Sequence, residues 1–199
     1  MDLTVVGPLL TLRYATLADA PALFELGRDP EVTRFFSWGP YEREEEAAAY
    51  IETLAPRRES GQQLDFLIVH RDHGPIGVTG LSELSVRDRR AMIGTWLTRA
   101  RWGSGANFES KALIAALAFE RLRMDRLSAY ADTENPRSQA ALERIGFSRE
   151  GVLHGWHRHG ERVRDVAMYA FLRSAWEESR LRKVPVEIRG EPPDGWVVA

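Results

Sequence analysis

The segment WLTRARWGSGANFESKAL, residues 96–113, has the residue types of an anion-binding site. A predicted strand runs through Gly103 and Gly105 directly into a long predicted helix. Glycine permits close approach of the backbone, and the unpaired amides of a first helical turn, aided by the helix dipole, can hold a phosphate. Two glycines that only form a tight turn before a helix would explain the same letters.

Two common nucleotide-binding loops are disfavoured for this segment. No Gly-Lys-Ser/Thr follows the glycines, which excludes a Walker-type loop. The segment also lies in the middle of the chain after three predicted antiparallel strands, whereas a Rossmann site opens a βαβ unit. We therefore expect an anion site in a different kind of fold.

Hydrophobic periodicity and turn residues predict eleven elements around this segment, in the order β-α-α-β-β-β-α-β-α-β-β. Strands are expected at 9–14, 64–70, 76–84, 91–97 and 126–131, and as a pair folded about the turn HGER within 147–171. Helices are expected at 17–28, at 42–58, from 108 onward and at 136–145. This order predicts an α/β (α+β) fold, with a mixed, mostly antiparallel sheet covered by helices.

Composition limits the classes of function. The chain has 199 residues, 27 basic and 29 acidic side chains, a net charge of -2 and no cysteine. The charge balance disfavours a nucleic-acid partner, and the lack of cysteine excludes disulfides and a cysteine nucleophile. No signal peptide and no apolar run of about 20 residues is recognised, so we expect a cytoplasmic protein without a membrane partner. One domain is expected over 1–183, followed by a tail at 184–199.

Several short segments, taken together, carry a family resemblance. They are GTWL at 94–97, WGSGANFESK at 102–111, NPRS at 135–138, RIGF at 144–147, EGVL at 150–153 and RD at 164–165. In this order they resemble the GNAT superfamily of acyl-CoA-dependent N-acyltransferases, and within it the branch of the ribosomal-protein acetyltransferases RimJ and RimL. The resemblance implies acetyl-CoA as co-substrate. It also implies two splayed strands, one ending at Leu97 and one at 126–131, that grip the pantetheine arm.

The resemblance also implies roles for individual residues. Backbone at the end of the first splayed strand would pair with pantetheine, the glycine loop would bind the pyrophosphate, and the NPRS motif would lie near the pantetheine amides and the sulfur. The residues expected at the cofactor are Trp96, Leu97, Thr98, Gly103, Ser104, Gly105, Ala106, Asn107, Asn135 and Ser138. Asn135 before Pro136 is also an ordinary helix N-cap. Many family members protonate the CoA thiolate with a tyrosine, but this chain has Leu142 at that position.

Attack of an amine on a thioester requires a proton acceptor, a stabilised oxyanion and a protonated leaving thiolate. A backbone amide at Leu97 or Thr98 is expected to stabilise the oxyanion, and Ser138 is the candidate acid. The first turn of a helix favours a carboxylate through the helix dipole, which would explain Glu109 without catalysis. The candidate bases are Glu83 and its rivals Asp65 and Glu109.

Aromatic residues and histidines outside these motifs have two interpretations each. The aromatics of the loop at 31–41 would either line the acceptor pocket or pack in the core. They are Phe35, Phe36, Trp38 and Tyr41. Among His154, His157 and His159 only the last two share a strand face, and no acidic partner lies at ligand spacing, so no metal is expected.

The function expected from these observations is acetyl-CoA-dependent N-acetylation of a primary amine, by direct attack in a ternary complex. The acceptor is left open between a small molecule and a protein N-terminus. One alternative is a non-catalytic acyl-CoA-binding regulatory module, and another is an enzyme for a longer donor such as succinyl-CoA, recognised by Arg99, Arg101 or Arg137. In the tail, Trp196, Val197 and Val198 are expected to dock either on the body or on a second subunit of a homodimer.

Overall fold

The computed structural model describes residues 2–159 and 161–197, and within them nine strands form one sheet. The strands are β1 (Thr4–Val6), β2 (Leu10–Arg13), β3 (Gln63–His70), β4 (Gly74–Ser85), β5 (Arg90–Leu97), β6 (Arg126–Asp132), β7 (Ser148–His159), β8 (Arg162–Leu172) and β9 (Glu187–Arg189). Their order across the sheet is β7-β8-β6-β5-β4-β3-β2-β1-β9. All neighbours are antiparallel except β5 and β6, which are parallel.

Six α-helices are present in the same described residues, and the predicted element order is confirmed. The helices are α1 (Ala20–Gly27), α2 (Pro30–Thr33), α3 (Glu44–Glu59), α4 (Ala106–Ala116), α5 (Pro136–Arg144) and α6 (Arg173–Glu178). The expected loop at 31–41 contains α2, which begins at Pro30 and is capped by Asp29, whose side chain accepts from the Glu31 amide. The strands β1 and β9 were not expected, because three residues are too few for a periodic pattern. Gly160 of the expected turn lies outside the described residues.

The helices cover both faces of the sheet. α4 packs on one face and is buried along almost its whole length, as its nearly continuous apolar sequence predicts. α1 and α3 pack on the other face, over Leu67 and Val78. No helix within the described ranges is long and apolar enough to cross a membrane.

Strands β5 and β6 separate after three residue pairs. Arg90–Met92 pairs with Arg126–Ser128, and no pairing joins the rest of the two strands. The expected splay is therefore confirmed, and its apex lies at Met92. Beyond the apex, the backbone of residues 93–97 has no strand neighbour on its β6 side.

The tail docks on the body of the same chain. Residues Glu187–Arg189 add β9 to the edge of β1, and the indole of Trp196 is fully buried. The Trp196 indole N–H donates to the carbonyl oxygen of Arg58 at 2.8 Å. Val198 lies outside the described residues.

Candidate active site

A cleft of about 510 Å³ begins between α4 and α5 and continues past the splayed strands to the loop at 31–41. Most of the residues that the sequence placed at a cofactor line this cleft. They are Trp96, Leu97, Gly103, Gly105, Asn107, Asn135 and Ser138. Phe35 and Phe36 line its far end. The cleft therefore joins the predicted anion site to the predicted acceptor pocket.

The glycine loop presents free backbone amides to the cleft. Gly103 and Gly105 have φ of 76° and 91°, in the left-handed region that other residues rarely adopt. Gly105 is the N-cap of α4. Across the described residues, the amides of Gly103, Gly105 and Asn107 have no hydrogen-bond acceptor. Three donors at a helix N-terminus can hold an anion such as a diphosphate.

Two of the five amides predicted for the pyrophosphate are already engaged within the loop. The Ser104 amide donates to the carbonyl of Arg101, and the Ala106 amide donates to the Ser104 hydroxyl, both at 3.4 Å. Neither residue lines the cleft. The prediction that all five amides point at the ligand is therefore wrong for Ser104 and Ala106, because the loop folds back on itself at Arg101.

The free edge of β5 is narrower than the sequence suggested. The Thr98 amide donates to the Ile76 carbonyl at 2.8 Å, so it is not available to a ligand. The Trp96 carbonyl also faces β4, since a Cβ added to Gly77 would lie 2.1 Å from it. Peptide groups of a strand alternate between its two edges, so Leu97 faces the splay and Trp96 does not. Backbone pairing through Trp96 and Thr98 is wrong for this reason, although the Trp96 side chain lines the cleft.

Alternation also identifies two residues that the sequence analysis missed. Thr95 and Ile93 have the same parity as Leu97, so their amides face the splay. The Thr95 side chain lines the cleft. The signal was present in the sequence, since every second residue of a strand faces the same edge, but the register had to be known.

The start of α5 supplies two polar groups. The Asn135 side-chain oxygen accepts from the Ser138 amide at 3.1 Å, so Asn135 is the expected N-cap, and its NH₂ group has no acceptor in the described residues. No hydrogen bond of the Ser138 hydroxyl is found within the described ranges either. Leu142 is buried in the core and supplies no donor to the thiolate.

Arginines give the cleft positive charge. Arg101, Arg137, Arg144 and Arg180 line it. The Arg137 guanidinium lies 3.2 Å from the centre of the Trp102 ring, and desolvation lowers its pKa. Arg99, which the sequence grouped with them, instead pairs with Asp29 at 3.1 Å and is absent from the lining.

The four aromatics of the predicted acceptor wall divide into two pairs. Phe35 and Phe36 line the cleft. Trp38 packs against Trp96, with ring centres 5.3 Å apart, and Tyr41 packs on Trp38 at 5.2 Å. The second pair supports Trp96 from behind and does not line the pocket.

The three candidate bases occupy different environments. Both close contacts of Glu109 are with backbone, because its Oε1 accepts from the amides of Leu9 and Leu10 at 2.7 and 2.8 Å. Glu83 is exposed, with φ of 50°, where β4 loses its register with β5. Its charge reaches Tyr130 and contributes to the raised pKa of that phenol, for which burial is the main cause.

Asp65 is mostly buried on β3, beside α3. Its Oδ2 accepts from the Tyr50 hydroxyl at 2.5 Å and from the Gln63 side chain at 2.6 Å. Burial raises the pKa of Asp65 to about 6, although both hydrogen bonds act to lower it. A carboxyl group with such a pKa can accept a proton at neutral pH more readily than a fully solvated one.

Asp65 leans toward the splay across two glycines. Asp65 pairs with Gly80 on β4, and Gly80 pairs with Gly94 on β5. A Cβ added to Gly80 would lie 1.9 Å from Asp65 Oδ1, and one added to Gly94 would meet nothing within 4 Å. The carboxylate thus lies over Gly80 with open space beyond it, two residues from the apex at Met92.

The histidines make pairwise contacts. His154 is exposed and lies 2.6 Å from Asp165, and the imidazole of His157 lies 2.9 Å from the Tyr130 hydroxyl. The side chain of His159 lies outside the described residues. Within the part of the chain that the structure describes, no group of three or more histidine, aspartate and glutamate side chains is arranged to hold a metal.

Comparison with known proteins gives the family of this chain. The model of the acetyltransferase (GNAT) domain matches residues 10–148. The N-acetyltransferase p20 of Bacillus licheniformis is 31% identical over 171 residues, which are 85% of this chain and 96% of that protein. YdaF of Bacillus subtilis (strain 168), whose name includes "ribosomal N-acetyltransferase", is 30% identical over 185 residues, covering 86% of this chain and 96% of its own.

A solved structure agrees with the fold. Spermidine N-acetyltransferase from Vibrio cholerae, in complex with CoA and spermine, superposes with a TM-score of 0.73 and 21% identity, over 85% of this chain and 99% of that one. The splayed strands, the glycine loop and the matched family model agree with one another, and the chain belongs to the GNAT family of N-acetyltransferases, in agreement with the RimJ/RimL-like branch.

Proposed function

We propose that this protein transfers the acetyl group of acetyl-CoA to a primary amine by direct attack in a ternary complex. One observation carries the proposal. The cleft connects an anion-binding loop to an aromatic pocket past a gap between two strands of the sheet. A thioester held in the gap could be approached by an amine from the far end of the cleft.

The cofactor would bind along the cleft. The diphosphate would lie on the amides of Gly103, Gly105 and Asn107, with the arginines of the cleft near the remaining phosphate charge. The pantetheine arm would follow the free edge of β5 toward Met92. The bound CoA of the Vibrio cholerae spermidine N-acetyltransferase supports this ligand for the shared fold.

The direction of the arm affects the oxyanion assignment. A strand rises about 3.3 Å per residue, so Ile93 is about 13 Å from Leu97 along β5. Leu97 is close to the loop that would hold the diphosphate, whereas Ile93 is next to the apex. We therefore assign the Leu97 and Thr95 amides to the arm, and the Ile93 amide to the oxyanion in place of Leu97.

The chemical step moves one acyl group and one proton. The amine nitrogen attacks the thioester carbon, the C–S bond breaks, and the sulfur leaves as a thiolate that takes a proton. Ser138 is the proposed donor to that sulfur, since its hydroxyl faces the cleft without another partner in the described residues. An amide bond and free CoA are the products.

The two remaining carboxylates would have different tasks. Asp65 would accept the amine proton, because its Oδ1 lies over Gly80 beside the open space at Gly94. Glu83, which is exposed at the bulge near the apex, would attract the cationic form of the amine. Two carboxylates in unlike environments commonly divide such roles.

A panel of acceptors tests the proposed function. The purified protein is incubated with isotope-labelled acetyl-CoA and, separately, spermidine, peptides with free N-termini from ribosomal proteins, and a cell extract. We expect CoA release and one acetylated amine identified by mass spectrometry. Saturable binding of acetyl-CoA without CoA release across the panel would contradict transfer and favour the regulatory module.

The same assay tests the donor and the compartment-independent part of the proposal. Acetyl-CoA and succinyl-CoA are supplied at equal concentration with the acceptor that reacts. We expect preference for acetyl-CoA, because the four arginines of the cleft would be committed to the phosphates of CoA. Preference for succinyl-CoA would contradict the proposed donor.

A further inference from the structure

Lys111 is a buried amine in the middle of α4. The residue is 5% exposed, and it is one of two lysines in the chain, the other being Lys183. Its ammonium nitrogen Nζ lies 2.5 Å from the Thr95 hydroxyl. Most buried lysines in proteins are paired with a carboxylate, since an isolated buried charge is costly.

The polar neighbours of Lys111 are hydroxyls. Thr95 Oγ1 lies 2.6 Å from Thr79 Oγ1, and the Thr79 hydroxyl reaches the Gly94 carbonyl at 3.0 Å. These groups satisfy a hydrogen bond but carry no charge. No carboxylate within the described residues forms an ion pair with Lys111.

Charged side chains near α4 are engaged elsewhere. On α4 itself, Glu109 binds backbone amides of the β2 region. Among packed elements, Arg13 on β2 pairs with Asp19, Arg90 on β5 pairs with Asp88, Arg182 pairs with Glu120, Glu83 lies at the exposed end of β4, and Lys183 is exposed. Burial alone lowers the pKa of Lys111 to about 7.

The missing counter-charge lies in the direction of the cleft. Thr95, the partner of Lys111, lines the cleft, so Nζ is one hydroxyl away from it. Asn107, whose free amide faces the proposed diphosphate, is four residues before Lys111 on the same helix. Residues four apart share a helix face and are separated by about 6 Å along the axis.

We propose that Lys111 is a buried counter-charge for the diphosphate of CoA and that it takes up a proton when CoA binds. The proposal rests on the proposed function, because it requires CoA in the cleft. Two negative charges near a buried amine favour its ammonium form, and this coupling is strong where the dielectric is low. By linkage, the ammonium form binds CoA more tightly than the neutral form.

The sign of the effect follows from the two protonation states. In the free protein Lys111 is largely neutral above pH 7, so binding at higher pH includes the work of adding a proton. CoA affinity therefore falls as pH rises from 7, by up to about tenfold per pH unit, until the titration midpoint of the complex is passed. Below pH 7 the amine is already charged and this dependence disappears.

Lysine labelling gives a direct test, because the chain has two lysines and one is exposed. Protein labelled with ¹³C at lysine Cε is titrated by NMR from pH 5.5 to 10.5, first free and then saturated with CoA. We expect the Lys111 signal to titrate near pH 7 in the free protein and about one pH unit or more higher with CoA. Lys183 is the internal control, and its midpoint is expected to stay in place.

Signals are assigned with Lys183→Met, which leaves the cleft untouched, so the assignment does not depend on a core substitution. A Lys111 midpoint that stays unchanged or falls when CoA is bound would overturn the proposal. Absence of CoA binding by calorimetry would instead contradict the proposed function, so the two failures are distinguishable.

Calorimetry with Lys111→Met gives a second readout. CoA is titrated into wild type and variant at pH 8.0 in two buffers with different ionisation enthalpies. Wild type is expected to take up most of one proton more than the variant, and to bind CoA more tightly at pH 6.5 by about tenfold or more. Equal proton uptake and equal affinity in a folded variant would overturn the proposal.

Discussion

Replacing Gly105 by valine should remove most of the affinity for CoA. At Gly105 the backbone φ is 91°, and a Cβ would extend into empty space, which in the proposed complex is the space of the diphosphate. Each hydrogen bond to a charged phosphate contributes about 1.5–3 kcal/mol. Displacing the diphosphate from two of the three free amides would cost about 3–6 kcal/mol, which is at least about 100-fold in Kd. Calorimetric titration of CoA at pH 7 measures it.

The substitution also strains the backbone, so a matched variant is needed. Gly74, in the turn between β3 and β4, has φ of 69°, and a Cβ there would also meet nothing within 4 Å. Left-handed backbone costs other residues about 1–2 kcal/mol, so Gly74→Val should lower the free energy of unfolding by a similar amount and leave CoA binding intact. Equal CoA affinity in the two valine variants would refute the assignment of the diphosphate to this loop.

Four further outcomes follow from named contacts. Ser138→Ala should lower kcat about tenfold, through loss of about 1.4 kcal/mol to the leaving sulfur, with the Kd for CoA unchanged; an unchanged kcat would exclude Ser138 as the donor. Tyr50→Phe removes a hydrogen bond that lowers the pKa of Asp65, so the acidic limb of the pH profile of kcat/KM should move to higher pH, and Asp65→Asn should abolish that limb. Asp19 has its pKa lowered to about 2, chiefly by Arg13, so Asp19→Asn should lose about 1–2 kcal/mol of unfolding free energy at pH 7, and the difference from wild type should disappear as pH falls toward 2. Trp196→Ala should lower the free energy of unfolding by about 3–5 kcal/mol in chemical denaturation, and a loss below 1 kcal/mol would show that the tail does not support the core.

The sequence predicted the elements that have long periodic patterns. Alternating apolar residues located the central strands, and a nearly continuous apolar run located α4. β1 and β9 were missed because three-residue strands depend on pairing between distant segments, and α2 was missed although Asp29 and Pro30 form a capped helix start.

The candidate site was predictable as a set of residues but not as directions. The glycines, Asn135 and Ser138 line the cleft because the motif fixes both their identity and the element that carries them. Which amides are free depends on strand register and on the folding of the loop onto Arg101, and neither is contained in a local motif. Asp65 likewise needed the pairing of Gly80 with Gly94 to be recognised as facing open space.

Lys111 shows a further kind of information that appears only in three dimensions. In the sequence it is one cationic residue in an apolar run, and a lysine at such a position usually extends its charge to solvent. The structure instead buries it against Thr95, with no carboxylate among its described neighbours. An unpaired buried charge beside a cleft indicates a ligand of opposite charge.

A crystal structure of the protein grown with saturating acetyl-CoA tests the central claim most directly. The account predicts the diphosphate within hydrogen-bonding distance of the amides of Gly103, Gly105 and Asn107, and the thioester beside Ile93 at the apex of the splay. Acetyl-CoA bound elsewhere, with that loop unoccupied, would contradict it.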